Sequence, residues 1–261
     1  MEEKNLFYMK PTLLVAALVL LLASATTVLA ADQVQMELST SVIRIPAFYN
    51  GTTLEASGTV PADADVVIRV MGPREDVHLK EKGKVFGFLW MNKTDVTLGN
   101  TPAVYMLYVP ENRGSELLSP ELGLGYQALE QEVTLEPASE DKPFVLGEYV
   151  KLMEKYGVYD DHAGTVRYTD TPAGERHFST TLTIPPKMKP GQYQVQCYAV
   201  RDGRVSGQTG ETLTIELTGM PALIANMAYN HALMYGIIAV CIAIAAGLLM
   251  GMLFKGKGGA H

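Results

Sequence analysis

The 261-residue chain reads as a mainly β outer domain with a helical insertion, held in a membrane by one C-terminal helix. Three observations predict this. Short alternating apolar segments, broken by turn residues, recur with the spacing of strands in a β-sandwich. A capped amphipathic segment interrupts them midway. A run without any charge, Leu233 to Phe254, lies near the C-terminus and is long enough for the hydrocarbon core, which takes about 20 helical residues.

Residues 1–30 read as a secretory signal. Leu13 to Leu29 is apolar, Lys4 and Lys10 precede it, and Val28 and Ala30 stand where a signal peptidase requires small residues. Either Met1 or Met9 could open it, and a retained N-terminal anchor is the alternative to cleavage. The outer domain then spans 31–219. "QVQMELSTSVIRI" alternates, "TTLEASGTV" follows a turn at Asn50-Gly51, and "DVVIRVMGP" is a buried-strand run stopped by Gly72-Pro73. "VHLKEKGKV", "KVFGFLWMN" and "AVYMLYV" read as further strands.

A helical insertion is expected at about 115–160. "SPELGLGYQALEQ" offers Ser119 as a cap and Pro120 at the first helical position. In "DKPFVLGEYVKLMEKYG", Asp141 can cap, Pro143 start and Gly157 end a helix whose Val145, Tyr149, Leu152 and Tyr156 share one face. Strands then return. Pro190-Gly191 turns the chain into a strand through Tyr193, Val195 and Cys197, and Asp202-Gly203 makes a hairpin. A Tyr soon after such a turn, on the penultimate strand, suits an immunoglobulin-like β-sandwich.

Residues 220–232 form a juxtamembrane segment of little charge, and Leu223, Met227 and Tyr229 suit an interfacial location. Residues 233–254 form the transmembrane helix. Lys255 and Lys257 follow at once, so the tail 255–261 is expected in the cytoplasm.

The whole chain carries a net charge of −7. Lys4, Lys10, Lys255 and Lys257 lie outside the outer domain, against only Glu2 and Glu3, so that domain is more acidic still. This argues against nucleic acid and against general adhesion to anionic lipid. Cys197 is in the outer domain and Cys241 in the membrane helix, which excludes a bridge between them. There is no Cys-x-x-Cys-His for haem, and no Ser-His-Asp, Gly-x-Ser-x-Gly, His-Glu-x-x-His or phosphate-loop pattern. We therefore expect no enzyme and no cofactor. Asp160, Asp161 and His162, in an expected loop with His177 further on, lack the paired spacing of metal ligands, so no metal is expected. The 13 methionines mostly fill apolar runs.

Two constellations remain. His78, Lys80, Lys82 and Lys84 recur at period two and share one strand face, a possible anion or partner surface. Ala239, Ala243, Gly247 and Gly251 recur every fourth residue, and such a small-residue stripe lets a second membrane helix approach closely.

The order "ELSTSVIRIPAFYNGTTLEASGTV…ADVVIRVMGP…KGKVFGFLWMN…PAVYMLYV", the helix "FVLGEYVKLMEKYGVY", "IPPKMKPGQYQVQCY" and "LMYGIIAVCIAIAAGLLMGMLF" resemble the transmembrane family Alph_Pro_TM over almost the whole mature chain. Members are often encoded beside TauE/SafE-type permeases, linked to export of sulfite and organosulfur anions. One departure is Gly247-Leu248, where the family would carry Gly-Trp. The resemblance implies a bacterial inner membrane, with the bulk of the chain periplasmic, and assigns no catalytic residue. The expectation is an accessory subunit of a transporter or other membrane complex, docking by its helix on a polytopic protein such as a TauE/SafE-type permease, or pairing as a homodimer. A tethered module that binds a small anion or a periplasmic protein is the alternative.

Overall fold

A computed structural model describes residues 34–86, 88–111, 113–138, 141–170 and 174–254. The expected signal and cytoplasmic tail lie outside these residues. The described residues belong to one unit, Asp32–His261.

The protein is mainly β. Nine strands form a curled sheet: β1 (Gln35–Leu38), β3 (Thr52–Pro61), β10 (Glu175–Ile184), β9 (Tyr159–Asp170), β7 (Tyr105–Pro110), β4 (Asp65–Met71), β11 (Gly191–Arg201), β12 (Arg204–Leu217) and β2 (Val42–Ile45), in that spatial order. A second sheet joins β5 (Arg74–Val85), β6 (Leu89–Pro102) and β8 (Thr134–Glu136). The alternation in the sequence sets which side chains go inside. On β3, Leu54, Ala56 and Val60 are buried, and on β11 so are Tyr193, Val195 and Cys197. β4 and β7 read instead as near-continuous apolar runs because neighbours cover them; all six residues of β7 are buried.

Two tyrosines fasten strands that are distant in sequence. The Thr183 N–H donates to Tyr108 Oη at 2.9 Å, and the Val66 N–H donates to Tyr168 Oη at 2.8 Å. Each satisfies a backbone donor inside the fold, which would otherwise cost the desolvation of that group. Asp202 and Gly203 both have positive φ, 51° and 70°, as a tight hairpin turn with right-handed twist requires.

Gly58 marks a close approach between backbones. It lies opposite Met36 in the β1–β3 pair, and a Cβ there would sit 1.9 Å from the Gln35 carbonyl oxygen and 2.8 Å from the Phe178 ring. A backbone atom cannot swing away as a side chain can. Gly58→Val is expected to displace β1 and lower stability by about 1–3 kcal/mol, measured as a reduced urea midpoint of the full-length protein in mild detergent.

The insertion differs in part from the sequence expectation. A short α1 (Gly114–Leu117) comes first, and a 3-10 turn at Pro120–Leu122 and α2 (Tyr126–Glu132) then replace the helix expected over "SPELGLGYQALEQ". Gly123 takes a left-handed conformation (φ 63°) and Gly125 is extended, so two glycines interrupt the run. α3 (Lys142–Tyr156) has the expected bounds, with Pro143 in its first turn and Gly157 at φ 70° closing it, but Asp141 at its N-cap makes no side-chain capping hydrogen bond. Its buried face is Leu146, Tyr149 and Val150, with Val145 and Met153 packed at its margin. Leu152 and Tyr156 are outside it, at 39% and 44% exposure. The Tyr156 ring instead lies under the Lys187 ammonium at 3.9 Å, a cation–π contact that suits a half-wet aromatic.

α4 (Met220–Asn230) and α5 (Ala232–Phe254) follow β12. The mean hydropathy of α5 reaches 2.7, and none of that window is buried against the rest of the protein.

Candidate functional site

Two surfaces gather the residues singled out in the sequence together with exposed apolar side chains. The first is the hairpin of β5 and β6. The sequence reading took "KVFGFLWMN" as one strand; the chain instead reverses between Val85 and Leu89. Below that turn the two arms stay paired far into the main sheet. Val85 faces Leu89, Lys80 faces Asp95, Val77 faces Leu98 and Arg74 faces Pro102. Pairing then continues through the Ala103 N–H to the Pro73 carbonyl and the Gly72 N–H to the Val104 carbonyl, both at 2.9 Å, to Met71 opposite Tyr105 and Ile68 opposite Tyr108. Gly72-Pro73, expected to stop a strand, is crossed without losing register, because Pro73 presents only its carbonyl to the partner arm. β4–β5 and β6–β7 are thus one long hairpin, interrupted by irregularities at Glu75/Val77 and Glu81/Lys82.

The faces of this ribbon separate cleanly. Val77, Leu79 and Val96 pack on the core and Leu98 is fully buried. On the opposite face the four expected basic residues lie together and exposed: His78, Lys80, Lys82 and Lys84. Two of them have partners across the pair. His78 Nδ1 lies 3.0 Å from Thr97 Oγ1, and Lys80 Nζ lies 3.5 Å from Asp95 Oδ1. Both residues of this ion pair are open to water, where such a contact contributes little. At the tip, Phe86 and Phe88 are 87% and 79% exposed, and Leu89 and Met91 are each 48% exposed. Phe86 also has φ 55°, a conformation costly for a bulky aromatic. Sequence reasoning missed this tip. Its signal was an apolar run broken by one glycine directly after the basic alternation.

The second surface is α5. Ala239, Ala243, Gly247 and Gly251 all lie exposed on it, and a Cβ built at Gly247 or Gly251 meets nothing within 4 Å. The stripe is therefore open for a close helix approach. α4 carries further apolar exposure at Met220, Leu223, Ile224 and Tyr229.

The acidic cluster lies elsewhere than expected. Asp160, Asp161 and His162 belong to β9, not to a loop. Asp160 Oδ1 accepts the His162 N–H at 2.9 Å and Asp161 Oδ1 lies 2.9 Å from His162 Nδ1. His177 is on β10, beside the Gly58 carbonyl at 3.1 Å. No group of three metal-type ligands converges among the described residues. Cys197 is fully buried, and burial pushes its thiol up to about 12. The thiolate that would make it a nucleophile is suppressed.

A β-rich domain joined to one helix long and apolar enough to cross a bilayer defines a membrane protein. Over residues 33–256 the chain matches the family described as "Putative transmembrane protein (Alph_Pro_TM)", and it belongs to that family. No curated protein matches the chain.

Proposed function

We propose that this chain is a non-enzymatic, single-span accessory subunit of a membrane transporter or other membrane complex. The single observation that carries the reading is the open stripe Ala239, Ala243, Gly247 and Gly251 on a helix that buries none of its surface within the protein. Lipid chains are as apolar as Leu, so a helix gains partners in the bilayer through close packing, which small residues permit. Because relatives of this kind are often encoded beside TauE/SafE-type permeases, a polytopic permease exporting sulfite or organosulfur anions is the first partner to test. The outer domain, read as an immunoglobulin-like sandwich in the periplasm, would cover the partner's outer mouth. That fold reading is supported by the parallel β2–β12 pairing beside the antiparallel β11–β12 pairing. It is supported too by the Tyr193 O–H, which donates back to the Lys189 carbonyl at 2.8 Å.

Gly247→Leu and Gly251→Leu are expected to abolish co-purification of a polytopic partner from mild detergent while leaving the outer domain folded by circular dichroism. Retention of the partner by both variants would remove the helix from the docking role. Recovery of the wild type only as a homodimer would assign the stripe to self-association.

The exposed basic face supports a second reading, a tethered module that binds a small anion or a periplasmic protein. It expects Lys80→Gln, Lys82→Gln and Lys84→Gln together to abolish sulfite binding by the detergent-solubilised protein. Unchanged binding, or no binding by the wild type, sets that reading aside.

A further inference from the structure

The hairpin tip has a place in the fold that the accessory-subunit reading does not use. β4 and β12 are both antiparallel to β11, so they run in the same direction. Met71, Gln194 and Thr212 stand level across those three strands. From that level β12 continues only to Leu217, where the chain turns into α4 and then α5. The hairpin continues past the same edge, through Arg74 to Val85. Measured along the strand from Glu75, that is about 30 Å of ribbon at roughly 3.3 Å per residue. The spacer α4 has 11 residues, about 16 Å of helix at 1.5 Å per residue. The ribbon is therefore long enough to reach the bilayer in which α5 is rooted. Phe48, 94% exposed, lies on the loop after β2 at this same edge, because Ile45 pairs with Leu217.

The chemistry of the tip fits a bilayer surface. Among the described side chains of the hairpin, the exposed large apolar ones lie at its end: Phe86, Phe88, Leu89 and Met91. Exposed lysines follow directly behind, Lys84 and Lys82 and then Lys80, in a protein of net charge −7. Aromatic and aliphatic groups in front of lysines match the acyl boundary and the anionic headgroups in turn. The turn holds Phe86 at φ 55°, as a tight reversal requires, and so keeps a bulky aromatic at the very end of the ribbon with its side chain open.

We propose that the β5–β6 hairpin is a membrane-inserting finger: Phe86, Phe88, Leu89 and Met91 enter the interfacial layer of the bilayer that α5 spans, and Lys82 and Lys84 lie among anionic headgroups. This inference rests on the membrane anchoring alone and needs no partner protein.

Trp90, the only tryptophan in the chain, is the second residue of β6 and so reports on the tip. The purified full-length protein is reconstituted in nanodiscs of phosphatidylcholine and phosphatidylglycerol, with and without brominated acyl chains. Trp90 emission is expected to be quenched by the brominated lipid. Phe86→Asn with Phe88→Asn should abolish the quenching; Asn tolerates positive φ, so the turn is kept, and circular dichroism should be unchanged. Phe88→Leu should retain quenching. Lys82→Gln should weaken it in discs rich in phosphatidylglycerol, by roughly fivefold in partitioning, and leave it unchanged in pure phosphatidylcholine. Absence of quenching in the wild type overturns the proposal, as does equal quenching in the double Asn variant. Emission that changes only when a second membrane protein is added also overturns it, and would assign the tip to a protein contact.

Discussion

Tyr159→Ala is expected to cost about 3–5 kcal/mol, the loss typical of truncating a buried aromatic to Ala, and to detach the helical insertion from the strands. Tyr159 is 1% exposed and sits at the centre of four tyrosines. Its ring lies 6.1 Å from Tyr105, 6.1 Å from Tyr126 and 5.9 Å from Tyr149, the last edge-on at 90°. Those partners come from β7, α2 and α3, so one side chain joins the sheet to both longer helices of the insertion. Its O–H donates to the Pro102 carbonyl at 2.6 Å, at the junction between the ribbon and the sheet. Tyr159→Phe keeps the rings but strips that carbonyl of its donor, which should cost about 1–3 kcal/mol. Tyr156→Ala, on the open face of α3, is the control and should cost less than about 1 kcal/mol. Urea unfolding in mild detergent gives all three values. A Tyr159→Ala midpoint close to that of Tyr156→Ala would mean that the cluster does not hold the insertion.

Alkaline pH should unfold the outer domain cooperatively. Burial pushes Tyr108 up to about 12, with Asp160 adding to the effect and the Thr183 N–H opposing it. Burial likewise raises Tyr193 to about 12, and both residues are fully buried. In the unfolded chain these phenols ionise near 10. The folded state therefore retains protons that the unfolded state loses. Stability from these groups is complete below pH 10 and falls as pH rises from 10 towards 12. Each group contributes a slope of about 1.4 kcal/mol per pH unit in that window, so the two together consume much of the stability of an ordinary domain. Unfolding free energies at pH 9, 10 and 11 should fall with increasing steepness, and phenolate absorbance should appear together with unfolding. A stability that stays flat across this range would contradict the burial argument. Tyr108→Phe should start lower, having lost the partner of the Thr183 N–H, and should show a shallower alkaline slope.

Much of the fold was legible because its signals are local. Strand alternation at β3 and β11, the Asp202-Gly203 turn, the ends of α3 and the apolar length of α5 each need only a few neighbouring residues to be read. The errors came from longer-range effects. The buried face of α3 follows from which side meets the sheet, so Leu146, Val150 and Met153 outrank Leu152 and Tyr156 although both sets fit a helical period. Asp160 to His162 looked like a loop by polarity, but parallel pairing of β9 with β7 draws them into a strand. His78, Lys80, Lys82 and Lys84 are exposed at alternate positions of β5, because period two survives there while the extra residues fall on the β6 arm. The acidic counterweight of that basic face, Asp95, could not be read, because register between two arms is set by a turn that was itself missed. The tip stayed hidden for the same reason: an apolar run such as "VFGFLWM" suits a buried strand as well as an exposed reversal.

The pairing that runs from the tip into the main sheet has a mechanical consequence. A force applied at Phe86 or Phe88 is carried by backbone hydrogen bonds past Pro73 and Ala103 to Ile68 and Tyr108, both fully buried. β4 and β7 are interior strands, flanked by β11 and β9, so they cannot peel away as an edge strand would. The load on them is shear, shared across many bonds at once. The irregularities at Glu75/Val77 and Glu81/Lys82 are the compliant joints, where an extra residue on the β6 arm interrupts the ladder locally and lets the ribbon bend. The hairpin is thus a lever hinged at two defined points, with its short arm set in the core of the outer domain.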